Sequence, residues 1–157
     1  MAPKLLFDFS QIDLQHVQYD VAAIEAINPH RGAMRMLDGI IWSNADFTKG
    51  LAFKDVGQDE FWVPGHIPGR PVLPGVFMIE AAAQLASFST LKKLGSRKFI
   101  GFVGLDAVKF RGQVVPGDRL HVLVRQLDFR PRRFICDAQG IVDGNLVFEG
   151  RVTGMPI

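Results

Sequence analysis

The rhythm of apolar and polar positions changes several times along the chain, and each change marks an element. Asp20 precedes a short apolar-periodic run and predicts a capped helix over residues 21–27, ended by Asn28-Pro29. Two β-type runs follow, over 34–42 and 47–56, joined by the turn Ser43-Asn44-Ala45-Asp46. Prolines and glycines then crowd residues 64–75, which predicts a shaped, irregular loop. Residues 76–94 are apolar on every side until Lys92, and Ala81, Ala82, Ala83 and Ala86 favour helix. That spacing predicts a helix about 28 Å long, stopped by Gly95. A helix apolar all round has to be wrapped by other structure.

The wrapping comes from runs over 99–110, 118–129, 133–142 and 145–152, rich in β-branched and aromatic residues in partial alternation. Pro116-Gly117, Pro131 and Asp143-Gly144 punctuate them, and the last pair is a strong hairpin signal. Strands before and after one buried helix predict an α+β fold, with a curved antiparallel β-sheet wrapped around a long central helix. No repeat, low-complexity tract or linker interrupts the pattern, so residues 1–157 read as a single domain.

Composition narrows the function classes. With 157 residues, 48% of them hydrophobic and 13 of them Phe, the chain can build a core without a disulfide or metal staple. The lone Cys136 excludes a cysteine framework or a multi-cysteine metal site, and its apolar surroundings predict a buried, inert thiol. A net charge of +2 gives no footing for nucleic-acid binding. Asp8 and Asp13 interrupt any apolar leader, and the most apolar stretch, 76–91, is too short and too polar to span a bilayer. A cytoplasmic protein is the expectation.

Candidate chemistry gathers between residues 65 and 84. His66 sits in the Pro/Gly-rich loop, and an imidazole is mostly a usable base at neutral pH. Glu80 lies in the second turn of the apolar helix, where a carboxyl stripped of water can hold a proton near neutrality. The amides of Gly75 and Val76 open the helix and favour negative charge. Each residue has a second reading from spacing alone. His66 can be a hydrogen-bonded loop residue, Glu80 can be satisfied by Gln84 one turn on, and Gly75 can serve a tight turn.

The string Gly65-His66-Ile67-Pro68-Gly69-Arg70-Pro71-Val72-Leu73-Pro74-Gly75-Val76, continued by Ile79-Glu80-Ala81-Ala82-Ala83-Gln84, resembles the active-site segment of the beta-hydroxyacyl-[acyl-carrier-protein] dehydratases. Asn28-Pro29-His30-Arg31, Phe102-Val103-Gly104-Leu105-Asp106-Ala107-Val108-Lys109-Phe110 and Val114-Val115-Pro116-Gly117-Asp118 extend the resemblance over residues 28–150. The resemblance implies a hotdog fold and dehydration of a 3-hydroxyacyl thioester on an acyl carrier protein to the trans-2-enoyl thioester. It implies His66 and Glu80 as catalytic residues, Gly75 as the backbone donor to the thioester oxygen and Gln84 as the residue that orients Glu80. It also implies a homodimer with active sites at the interface, assembling further into a trimer of dimers. No metal, nucleotide or organic cofactor is called for. The family's acyl tunnel runs beside the central helix.

Departures from the family pattern bear on substrate more than on reaction. Gly32-Ala33 stand where bulk is usual, which is expected to alter the mouth or wall of the acyl tunnel. Ile67 replaces the usual Phe after the histidine, and the segment before His30 is longer than in compact members. His30 itself reads as a structural hydrogen-bonder, and His16 and His121 as surface or sheet residues. Lys92-Lys93, Arg97-Lys98 and Arg130, Arg132 and Arg133 form basic clusters that a solvated face explains, or that form a docking rim for an acidic carrier protein. Competing readings are a hotdog acyl thioesterase, a non-catalytic carrier-protein or acyl-chain binder, and a double-bond isomerase side activity. Asp at the acid position accompanies that isomerase activity, so Glu80 favours simple dehydration.

Overall fold

The computed structural model describes residues 2–96 and 98–157. The chain forms α1 (Val21–Glu25), a 3-10 turn (Gly32–Met34), β1 (Gly39–Ser43), β2 (Lys49–Asp55), α2 (Gly75–Leu94), β3 (Ile100–Phe110), β4 (Arg119–Arg130), β5 (Arg133–Val142) and β6 (Asn145–Pro156). The strands make one sheet in the order β1-β2-β4-β5-β6-β3, each neighbouring pair antiparallel. Helix α2 contacts five of the six strands, from β2 round to β3, so the sheet curves about it. This is the hotdog architecture expected from the sequence.

Local chemistry explains several element ends. The Asp20 carboxylate accepts from the Ala23 amide and caps α1. Gly95 closes α2 at φ 58°, a left-handed conformation that glycine adopts without strain. Asp143 and Gly144 both have positive φ, as a two-residue hairpin between β5 and β6 requires.

Several boundaries differ from expectation, three of them with a bearing on the site or the sheet. The run over 34–42 is not one strand. Met34 ends the 3-10 turn and β1 begins only at Gly39, because the backbone at Met34 and Met36 bonds to the Gln84 side chain instead of to a strand. α1 stops two residues early, at Glu25. β6 runs past 152 to Pro156, since it is paired on both sides and Ile100 of β3 meets Pro156.

Apolar side chains fill both faces of the sheet. The inner cluster surrounds α2 through Leu85, Ala86 and Phe88, packed on Ile40, Val122, Val124 and Phe148. An outer cluster, Phe7, Ile41, Leu51, Phe53, Leu123 and Ile141, lies on the convex face. Strand alternation assigns neighbours such as Ile40 and Ile41 to opposite faces. The N-terminal segment straps the convex face with Leu5, Leu6, Phe9, Ile12 and Leu14. Gln139 and Arg125 fasten it. The Leu6 amide donates to Gln139 Oε1 at 2.9 Å, Gln139 Nε2 donates to the Lys4 carbonyl at 2.9 Å, and Arg125 donates to the Leu6 carbonyl at 3.0 Å. β3, paired on one side only, is the opposite edge and exposes Phe102, Val103, Leu105 and Phe110.

Candidate active site

The loop between β2 and α2 is pinned at several points. Trp62 is buried, and its carbonyl accepts from the amides of Gly65 (3.2 Å) and His66 (2.8 Å). Lys54, almost fully buried, pairs with Glu60 at 2.8 Å, and the Leu73 amide donates to the Val114 carbonyl at 2.8 Å. Between these anchors His66 stays exposed. Its Nδ1 lies 2.7 Å from the Val72 carbonyl oxygen. A carbonyl only accepts, so Nδ1 carries the proton there, and in the neutral ring the lone pair is on Nε2.

The loop delivers the chain to Gly75, the first residue of α2. Pro74 supplies no side-chain cap, and the first turn holds no acid, so its amides and dipole are left for another negative group. Gly75 does not have positive φ, so it is not there for a strained turn. A Cβ at Gly75 would stand 2.8 Å from the Phe110 ring, so close packing requires the glycine. Phe110 in turn stacks on Phe148 with ring centroids 5.9 Å apart.

Glu80 projects from the second turn of α2 with 29% of its side chain exposed, so it is partly shielded from water even in the single chain. Gln84 holds it, Nε2 donating to Glu80 Oε1 at 2.9 Å. The same Gln84 is 1% exposed and reaches across to the 3-10 turn, donating to the Met34 carbonyl (2.7 Å) and accepting from the Met36 amide (2.9 Å). Asn28 donates to the Gln84 backbone carbonyl and accepts from Ser87 Oγ, locking the segment before the turn onto α2. His30 Nε2 lies 3.5 Å from Glu80 Oε1, while His30 Nδ1 is buried with no hydrogen-bond partner among the described residues. Burial pushes the His30 imidazole below its usual range, the Glu80 charge opposes that shift and Arg31 adds to it. From sequence alone His30 has only a structural part. The fold sets it beside Glu80, fifty positions away, and no short-range signal carried that contact.

A cavity of about 160 Å³ opens beside Glu80, between α2 and the β3, β5 and β6 strands. His30, Glu80 and Ser87 line one side, and Phe102, Phe134 and Gly154 the other. Neither Gly32 nor Ala33 lines it, so the small residues there do not shape this wall. His66 and Gly75 also do not line it, and no hydrogen bond or ion pair joins His66 to Glu80 within one chain. Among the described residues, no cluster of three potential metal ligands occurs.

The basic clusters are partly occupied. Lys92 sits over the rings of Tyr19 and Phe47, and Lys93 donates to Gln126 while lying over Phe129. Arg130 and Arg133 pair with Asp128, whereas Lys98 and Arg132 are exposed and have no ion-pair partner among the described residues. Arg97 lies outside the described residues. Cys136 is buried, its thiol pushed up to about 12, which leaves it inert at neutral pH.

Similarity to known proteins follows the same landmarks. Residues 28–151 match the FabA-like domain. The 3-hydroxyacyl-[acyl-carrier-protein] dehydratase FabZ of Streptococcus equi subsp. zooepidemicus is 37% identical over 135 residues, covering 85% of this chain and 95% of the relative. FabZ of Streptococcus pyogenes serotype M5 is 36% identical over 85% of this chain and 96% of its own. Among solved structures, the dehydratase heterocomplex ApeI:P from Xenorhabdus doucetiae superposes with a TM-score of 0.72 at 19% identity, over 85% of this chain and 90% of that one. A hypothetical thioesterase from Streptococcus pneumoniae crystallised with coenzyme A superposes at 0.60 and 10% identity, over 75% of this chain and 84% of that one, a likeness of fold alone. With the domain matched across most of its length and curated relatives above a third identical, the chain belongs to the FabA-like family, alongside the FabZ dehydratases.

Proposed function

We propose that this protein removes water from a 3-hydroxyacyl thioester on an acyl carrier protein to give the trans-2-enoyl thioester, as the FabZ relatives' name describes. The observation that carries the reading is the His66 ring, clamped through Nδ1 to the Val72 carbonyl with Nε2 left bare, in the loop that leads into the uncapped start of α2. His66 Nε2 takes the proton from C2. The charge that develops on the thioester oxygen rests on the Gly75 amide, where the helix dipole favours it. Glu80 meets the C3 hydroxyl through Oε2, since Oε1 is engaged by Gln84. A C2–H and a C3–O bond break, the C2=C3 bond forms, and the hydroxyl departs as water with the proton that His66 took from C2, passed on by His66 directly or through Glu80. No step needs a cofactor.

One chain does not join base to acid, which supports a homodimer in which His66 of one subunit faces Glu80 of the other. The exposed apolar edge of β3 is the surface such a pairing would cover. Trimers of these dimers are the larger assembly proposed. Lys98 and Arg132, free of ion pairs among the described residues, are the strongest members of a docking rim for an acidic carrier.

The test runs the reaction backwards. Wild type should hydrate a trans-2-butenoyl thioester, read as loss of enoyl absorbance, without releasing thiol. His66→Ala and Glu80→Gln should each lose about 10²–10⁴-fold in rate. Thiol release in place of hydration would make the protein a hydrolase and overturn the assignment.

A further inference from the structure

The cavity beside Glu80 follows α2 from Glu80 to Ser87, a rise of about 10 Å. On the helix side its wall is low, because Ala83 and Ala86 contribute only methyl groups. The sheet side is set by register. Phe102 of β3 and Phe134 of β5 both stand opposite Gly154 of β6, and directly opposed residues in antiparallel strands share a face. The three therefore form one row across the inner face, with a gap at the glycine. Phe134 fills that gap. A Cβ placed on Gly154 would collide with Phe134 Cζ and stand 2.6 Å from Cε1, so the ring leans directly over the glycine. Phe134 is 2% exposed, against 46% for Phe102, so it is the fixed part of the wall and Phe102 the solvent-facing part.

We propose that Phe134, seated over Gly154, sets the length of acyl chain the site accepts, and that it admits about six to eight carbons from C3 outward, an acyl chain of about eight to ten carbons. This rests on the dehydratase reading, which places the reacting carbons at Glu80 and the alkyl tail in the cavity. Two measures agree on the length. An extended alkyl chain with bonds near 1.5 Å advances about 1.25 Å per carbon, so 10 Å of cavity takes about eight. By volume, 160 Å³ matches an apolar cavity of ~150 Å³ that holds a six-carbon ring. A longer tail meets Phe134, whose ring cannot turn away without vacating the space above Gly154.

The experiment uses two variants that move the ring's bulk in opposite directions, each first checked for a native-like melting transition. Phe134→Leu shortens the wall residue, and Gly154→Ala drives the ring toward the cavity. Saturated acyl-pantetheine thioesters of graded length are titrated calorimetrically as unreactive ligands, and the matching trans-2-enoyl thioesters are tested for hydration. Wild-type affinity should rise about fourfold per added methylene until the chain reaches the wall, then fall. Phe134→Leu should move that break point up by about two carbons. Gly154→Ala should move it down and cut the ratio of medium-chain to short-chain affinity at least about tenfold. A break point common to all three proteins, or losses equal at every length, would overturn the inference and leave Phe134 a core residue. If the break points shift as expected but no enoyl thioester is hydrated, length selection stands and the dehydratase reading fails. If hydration proceeds while the break points stay put, the dehydratase reading stands and Phe134 does not select length.

Discussion

Gln84 does more than any other side chain around the candidate site. It donates to Glu80 Oε1, accepts from the Met36 amide and donates to the Met34 carbonyl, all from a position 1% exposed. Gln84→Ala would leave two backbone groups unpaired in or near the interior, at about 1–3 kcal/mol each for those that water cannot reach. A loss of about 2–4 kcal/mol in urea unfolding is expected, together with a fall in kcat larger than the change in KM. A stability loss with kcat untouched would show that Gln84 braces the fold without positioning Glu80. The second residue-scale prediction concerns pH. Burial is the main cause holding both His30 and His121 below the ordinary imidazole range; Arg119 lowers His121 further, while Asp55 and Asp143 oppose it. The unfolded chain takes up these protons from about pH 6.5 downward and the folded chain only at lower pH. Stability is therefore full above pH 6.5 and falls as pH drops through the window below it. His121→Asn should flatten part of that slope in urea midpoints measured between pH 7.5 and 5.5. An unchanged slope would mean the buried ring does not contribute.

Elements with local stop signals were legible in the sequence. α2 announced itself by its alanines, its all-round apolar character and Gly95, and the β5–β6 hairpin by Asp143-Gly144, because helix propensity and turn chemistry act within a few residues. The strand expected over 34–42 shows the converse: its apolar run is real, but Gln84 from a distant helix claims the backbone at its start. The N-terminal strap was not legible for a similar reason. Leu5, Leu6, Phe7, Phe9, Ile12 and Leu14 follow no helix or strand period, since what they satisfy is the convex face of a sheet built later in the chain. At this scale the basic clusters also sort themselves. Lys92 and Lys93 are committed to aromatic faces and to Gln126, leaving Lys98, beyond the end of α2, and the β4–β5 hairpin tip for an outside partner. Lys98→Glu with Arg132→Glu should raise KM for the carrier-linked substrate by about tenfold or less and spare a small thioester analogue. Equal effects on both substrates would remove these residues from docking.

Across the whole molecule, the question is how His66 and Glu80, on one short stretch of chain, would come to act together as base and acid. The fold gives His66 to an exposed loop and Glu80 to a cavity under the sheet, so cross-subunit pairing predicts complementation. His66→Ala and Glu80→Gln, each inactive alone, should recover roughly a quarter of wild-type hydration when unfolded and refolded together in equal amounts, since about half the dimers are mixed and each carries one intact site of two. No recovery would place both groups in one chain's site. By itself the sequence determined the element types, the shaped loop around His66, the open helix start at Gly75 and the Glu80–Gln84 pair, because propensity, turn geometry and one-turn helix spacing are local. Only the tertiary structure decided that His30 lies against Glu80, that Gln84 clamps the turn at Met34 and that Phe134 leans over Gly154. The first two hang on how the segment before β1 folds back onto α2, and the third on strand register, where a one-residue slip would turn Phe134 to the other face.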